Sequence, residues 1–111
     1  MTKDYPKTLV VITDSDFDTF VKKYSVVIVD CWAAWCFPCR MLEPIVESLA
    51  KKYTGKIVFG KLNIDENKNV TMKYNIMSVP TLLVFKKGKN VDRIIGAMPE
   101  SILESRIKQY L

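Results

Sequence analysis

Trp35-Cys36-Phe37-Pro38-Cys39 stands straight after one hydrophobic run and straight before another. The run before it, Val26-Val27-Ile28-Val29, is β-branched and shows no alternation, as a strand buried on both faces would be. The run after it puts Leu42, Ile45, Val46, Leu49 and Tyr53 on one face at helical spacing, so residues 36–53 read as one long helix. Pro44 falls inside that helix and is expected to kink it. With Cys36 opening the helix and Cys39 one turn in, helix geometry puts their Cα atoms roughly 5 Å apart. A disulfide accepts about 4.4–6.8 Å, so the pair can close and open with little backbone movement.

On the N-terminal side of this unit, residues 8–13 form a short apolar run expected as a strand. Residues 14–24 carry Phe17, Phe20, Val21 and Tyr24 at helical spacing, with Thr13 or Ser15 as the expected cap. On the C-terminal side, 56–64 reads as a strand and 66–74 as a weak helix. Residues 81–85 and 91–95 flank Lys86-Lys87-Gly88-Lys89 and read as an antiparallel hairpin. Pro99 and Glu100 open a last helix through Tyr110. The order β-α-β-α-β-α-β-β-α implies an α/β fold with a mixed sheet.

A chain of 111 residues, 49% of them hydrophobic, suits a single domain spanning 1–111 with a real core. No apolar run approaches the ~18 residues of a membrane span. The start, Met1-Thr2-Lys3-Asp4-Tyr5-Pro6, lacks the apolar stretch of a signal peptide, so a cytoplasmic location is expected. In a reducing compartment a CxxC is more often catalytic or metal-binding than a staple. The net charge is +5, carried in part by the pairs Lys22-Lys23, Lys51-Lys52 and Lys86-Lys87 near element ends. These read as solvated surface. Nucleic-acid binding would need a basic face interleaved with exposed aromatics, and none is visible. Histidine is absent, which removes the usual general base and the commonest metal ligand.

A CxxC beside a βαβ pattern is a recognised redox signature. Here it lies within Val29-Asp30-Cys31-Trp32-Ala33-Ala34-Trp35-Cys36-Phe37-Pro38-Cys39, followed in order by Lys61-Leu62-Asn63-Ile64-Asp65, Ser78-Val79-Pro80-Thr81 and Gly96-Ala97. Together these segments resemble the thioredoxin family, over nearly the whole chain from residue 8 to 111. The resemblance implies a thioredoxin fold, a central mixed five-stranded sheet flanked by four helices. It implies a protein-disulfide reductase that cycles between a Cys36–Cys39 disulfide and a dithiol. Two positions depart from the family pattern: Phe37 stands where glycine is usual, and Cys31 where a bulky aromatic is usual.

Within that reading Cys36 is the expected nucleophile, because a helix N-terminus favours an anion by about 0.3–2 kcal/mol and the thiolate is the attacking form. Cys39 is the expected resolving thiol. The resemblance places Asp30 below the pair as acceptor of the Cys39 proton, and burial would raise its pKa to suit that task. Lys61 resembles the family lysine that pairs with this Asp. The resemblance also implies a cis Val79–Pro80 bond facing Cys36, and backbone near Val79 that holds an extended client segment as an added strand. Trp35, Phe37, Pro38, Val79, Pro80, Gly96 and Ala97 form the expected client-binding rim. Trp32 is expected as packing beside Asp30, and Arg40, Glu43 and Glu47 as solvated helix surface.

Two readings from other classes compete. Cys31, Cys36 and Cys39 form C-x4-C-x2-C, the start of an iron–sulfur ligand set, but a fourth cysteine and any histidine are missing. Alternatively the chain is a binding or assembly subunit with incidental redox activity. The intact pair beside Asp30 favours chemistry. No nucleotide or flavin fingerprint such as GxGxxG is present, so no cofactor is expected and the electrons must come from a separate reductase. Disulfide-bearing client proteins complete the expected partners, with no nucleic acid and no membrane, and the chain is expected to be a monomer.

Overall fold

Strand β2, Val26–Trp32, is the spine of the molecule, and each of its first six residues is buried. A computed structural model describes residues 5–111, so residues 1–4 of the N-terminal stretch considered above lie outside the described residues. β2 lies between β3 (Val58–Asn63), parallel to it, and β4 (Thr81–Lys86), antiparallel to it. The short β1 (Val10–Val11) extends the parallel side, and β5 (Lys89–Ile95) pairs antiparallel with β4. The sheet order is β1-β3-β2-β4-β5. The expected mixed five-stranded sheet is therefore present, with β1 much shorter than the apolar run 8–13.

Side chains of β2 alternate between two cores, as the period of two in a strand requires. Val27, Val29 and Cys31 pack with Phe17, Phe20 and Val21 of α1 (Phe17–Lys23) and Val70 of α3 (Lys68–Lys73). Val26 and Ile28 pack instead with Leu42, Val46 and Leu49 of α2 (Phe37–Lys52) and Leu103 and Ile107 of α4 (Glu100–Lys108). Each fully buried Val, Ile or Leu contributes about 1.5–3 kcal/mol, so the two faces together hold β2 in place. Helix α2 continues through Pro44. Gly60 on β3 leaves room for α1, since a Cβ there would sit 2.7 Å from Ile12 Cγ1 and 2.9 Å from Phe20 Cε2.

The hairpin is two residues long. Lys87 and Gly88 both have positive φ (51° and 81°), the requirement of a type I′ turn. The Asn90 amide donates to the carbonyls of Val84 and Asp92 beside the register shift at Val84/Phe85. The lysine pairs fall where expected: Lys22-Lys23 and Lys51-Lys52 occupy the last turns of α1 and α2, where cations complement the helix dipole.

The expected cap of α1 is not what the structure shows. Asp16 takes the cap position without a side-chain cap bond to the helix, and its carboxylate accepts from the Thr13 N–H at 2.7 Å. The nearby Asp14 reaches across to α3, accepting from the N–H groups of Asn69 (3.1 Å) and Val70 (2.9 Å). At the other end of α3, Arg93 of β5 donates to the carbonyls of Tyr74 and Asn75. This weakly patterned helix is thus capped at both ends from distant elements.

Candidate active site

β2 ends at Trp32, and the chain turns at once into α2. The Cys36 N–H donates to the Ala33 carbonyl at 3.1 Å, closing that turn. Cys36 then serves as N-cap: its sulfur accepts the Cys39 N–H at 3.2 Å. A helix start normally recruits Ser, Thr, Asp or Asn oxygen for this bond; here sulfur takes it. Pro38 sits in the first turn, where its missing N–H costs nothing, and the first turn carries no acidic residue to compete with a thiolate. Cys36 and Cys39 are disulfide-bonded with Cα atoms 5.3 Å apart, inside the range set by helix geometry. Both are almost fully buried, in a small cluster with Ala33 that Trp32, Ile64 and Val79 pack against.

Across from Cys36 lies the loop entering β4. The Val79–Pro80 bond is cis, and the Val79 carbonyl oxygen is 3.7 Å from Cys36 Sγ. The Pro80 carbonyl accepts the N–H of Gly96, which ties the Gly96-Ala97 loop to the same place. Trp35 and Phe37 flank the disulfide, each 68% exposed, and the Trp35 indole N–H donates to Asp65 at 2.9 Å. Pro38 and Ala97 line an apolar groove of about 360 Å³ with Met41, Ile45, Met98 and Pro99. Of the seven rim residues expected from the sequence, Trp35, Phe37 and Pro38 border the cysteines along the chain, Val79 packs against them, Gly96 bonds Pro80, and Ala97 shares the groove with Pro38. Met41 and Met98, which also line the groove, and Asp65, which anchors Trp35, were missed. Met41 carried a usable signal, lying one turn beyond Pro38 on α2.

Behind the disulfide is a second cavity of about 380 Å³, lined by Asp30, Trp32, Cys39, Arg40, Glu43 and Lys61. Asp30 is 2% exposed, and its Oδ1 has no hydrogen-bond partner among the described residues. Its pKa is raised from 3.8 to about 7, chiefly because burial disfavours the carboxylate, with the Glu43 charge adding to the rise and Lys61 opposing it. Lys61 is the β3 neighbour of Asp30 in the sheet register, but its ammonium does not pair with that carboxylate. It bonds Glu43 Oε1 at 2.9 Å and lies over the Trp32 ring at 5.5 Å. The expected Asp30–Lys61 pair is thus replaced by Glu43–Lys61, because a partly solvated partner costs the ammonium less desolvation than a buried one.

Glu43 is accordingly no mere solvated surface residue. Its signal lay in its spacing: four residues after Cys39, it stands one turn along the same face of α2. Arg40 remains exposed, and its guanidinium donates to the Ala34 carbonyl at 2.7 Å, bracing the turn before Cys36. Trp32 packs against the cysteine cluster and lines the same cavity as Asp30, beside which it was expected.

Cys31 stands apart. It belongs to the core on the α1 and α3 face of the sheet, opposite the face that carries α2. The C-x4-C-x2-C spacing therefore does not converge on one point. Among the described residues no group of three or more Cys, Asp or Glu side chains is placed to hold a metal ion. No helix among those residues is long and apolar enough to cross a membrane.

The profile of the Thioredoxin family matches residues 8–109. The chain is 44% identical over 100 residues to a thioredoxin of Chlorobaculum thiosulfatiphilum, covering 89% of this chain and 93% of that one. It is 45% identical over 103 residues to a thioredoxin of Staphylococcus epidermidis, covering 93% and 98% respectively. Among solved structures, a mutant thioredoxin from Halobacterium salinarum superposes with a TM-score of 0.90 at 32% identity, over 98% of this chain and 96% of that one.

Proposed function

Because the chain belongs to the thioredoxin family and is a thiol–disulfide oxidoreductase with that fold, we propose the following division of labour among its own residues. The Cys36 thiolate attacks one sulfur of a client disulfide. A Cys36–client mixed disulfide forms, and the other client sulfur leaves as a thiolate that takes a proton from solvent. Cys39 passes its proton to the Asp30 carboxylate and attacks Cys36 Sγ. The Cys36–Cys39 disulfide closes, and the second client thiolate is released. Two electrons have moved from the dithiol to the client, and Asp30 returns its proton to solvent through the cavity behind it. The observation that carries this reading is a helix-capping disulfide backed by a buried carboxyl whose Oδ1 has no hydrogen-bond partner among the described residues.

The apolar groove and the Val79 backbone receive the client segment, with Trp35 and the family-atypical Phe37 as the exposed walls. Lys61 acts at the cavity, where its charge bears on Asp30. A separate reductase returns the electrons, so the chain is a mobile electron carrier. Its domain spans the whole chain, and it works as a cytoplasmic monomer. Family membership supports a reductase and disulfide-bearing clients as the partner classes.

The test is disulfide reduction by single Cys→Ser variants, read as insulin precipitation with dithiothreitol. Cys36→Ser should lose activity, and Cys39→Ser should accumulate mixed disulfides at Cys36. Cys31→Ser should keep most of the parent rate. A dead Cys31→Ser alongside an active Cys36→Ser would overturn the assignment.

A further inference from the structure

Three charged side chains share the cavity behind Cys39 with the Asp30 carboxyl: Arg40 and Glu43 from α2, and Lys61 from β3. On the other strand flanking Asp30, the β4 neighbour is Leu82, which does not titrate. Cys31, next to Asp30 on β2, and Arg93 of β5 act from the opposite face of the sheet. The cation nearest in register to Asp30 is Lys61, directly beside it across β2 and β3. Left to itself, a lysine in that place has a carboxylate as its obvious partner. Instead its ammonium lies 2.9 Å from Glu43, and Asp30 Oδ1 is left without a hydrogen-bond partner among the described residues.

We propose that Glu43 is a positioning residue for the resolving step: by holding the Lys61 ammonium on the outer side of the cavity, it keeps Asp30 a carboxyl that exchanges protons with Cys39 instead of one locked as a paired carboxylate. The proposal rests on the reading of Asp30 as proton acceptor. Glu43 itself touches neither client nor sulfur. Its effect has two parts. The first is steering, since Lys61 bound to Glu43 is not bound to Asp30. The second is direct, since the Glu43 charge repels a carboxylate on Asp30. Both make ionisation of Asp30 harder, in line with the direction and causes of its shift.

The geometry makes the steering part separable. The Glu43 side chain is 38% exposed and that of Lys61 25%, and Gln and Met keep the length of the side chains they replace, so neither change opens a cavity. In Glu43→Gln the ammonium is released, and it can turn to Asp30. In Lys61→Met there is no ammonium to steer, and only the direct repulsion is left for Glu43→Gln to remove.

The experiment is a carboxyl-carbon NMR titration of Asp30 in the full chain, for the parent, Glu43→Gln, Lys61→Met and the double variant. The pH profile of mixed-disulfide resolution is measured beside it. Glu43→Gln should lower the Asp30 midpoint by about half a pH unit or more, and move the acid limb of resolution the same way. In the Lys61→Met background the same change should produce a clearly smaller shift. An unmoved midpoint in Glu43→Gln overturns the proposal. Equal shifts with and without Lys61 overturn steering. A midpoint that moves while resolution keeps its profile, with Asp30→Asn also resolving normally, locates the failure in the role given to Asp30, and removes Glu43 from the reaction with it.

Discussion

Asp30 is the residue whose chemistry and stability effects oppose each other most directly. Its carboxyl sits at about 7 instead of 3.8 because burial first, and the Glu43 charge second, disfavour the ionised form more than Lys61 favours it. A folded-state pKa raised above the unfolded one adds stability in full below the unfolded value. That stability is lost as pH climbs through the folded value. Asp30→Asn removes the ionisation, so its advantage over the parent should be small near pH 4. It should grow to on the order of 1–4 kcal/mol by about pH 8, read from chemical denaturation at both pH values. An advantage equal at the two pH values would mean that desolvation of the carboxylate is not its source. The same variant should resolve mixed disulfides slowly while attacking clients at close to the parent rate, because Cys36 draws on the helix N-terminus and not on Asp30.

Among the elements, α2 and α3 are built in opposite ways. α2 is amphipathic, sixteen residues long, and capped by its own Cys36, so local patterning and local capping agree. α3 has six residues, one of them buried, and no cap bond from its own Asn67. Isolated helices this short are unstable in water, and this one is held by Asp14 at its start and by Arg93 at its end. The partnership is reciprocal, for the Asn67 side chain accepts the Asp14 N–H at 2.8 Å. Asp14→Ala should cost about 0.5–2 kcal/mol of stability, the range for loss of a capping side chain. Hydrogen exchange should show the loss as faster opening of residues 68–73, with α2 amides changed only by the global difference. Uniform acceleration across both helices would argue that Asp14 acts on the whole fold and not as a cap.

At the scale of the molecule the sheet is a wall between two kinds of thiol. Cys36 and Cys39 end at the α2 side, beside the apolar groove. Cys31 is fully buried on the other side, and its thiol is pushed up to about 12 by burial, with nearby Asp30 adding to the rise and Arg93 opposing it. In the reduced protein, iodoacetamide should therefore modify Cys36 first. Cys31 should react only through opening of the fold, slower by about a thousandfold or more for a domain of ordinary stability. Mass mapping of the alkylated chain checks this, and denaturant should abolish the difference. Comparable native-state rates at Cys31 and Cys36 would contradict the two-faced arrangement.

Local patterning was enough for the order of elements, the mixed sheet, the hairpin and the geometry of the Cys36–Cys39 pair. The elements, the hairpin and the cysteine pair depend on side-chain period or turn chemistry within about twenty residues of chain, the range on which hydrophobic periodicity reports, and the mixed sheet followed from the order of the elements. The family segments added Asp30, the Val79–Pro80 loop and Gly96-Ala97 around the pair. Which charges meet was decided only in three dimensions. Lys61 pairs with Glu43 across 18 residues, Trp35 with Asp65 across 30, and Asp14 caps α3 across 55 and 56. A long polar side chain has several opposite charges or N–H groups within reach of its sequence neighbourhood. Its choice among them turns on how much desolvation each partner demands, and burial is a property of the packed sheet and helices, not of any one segment.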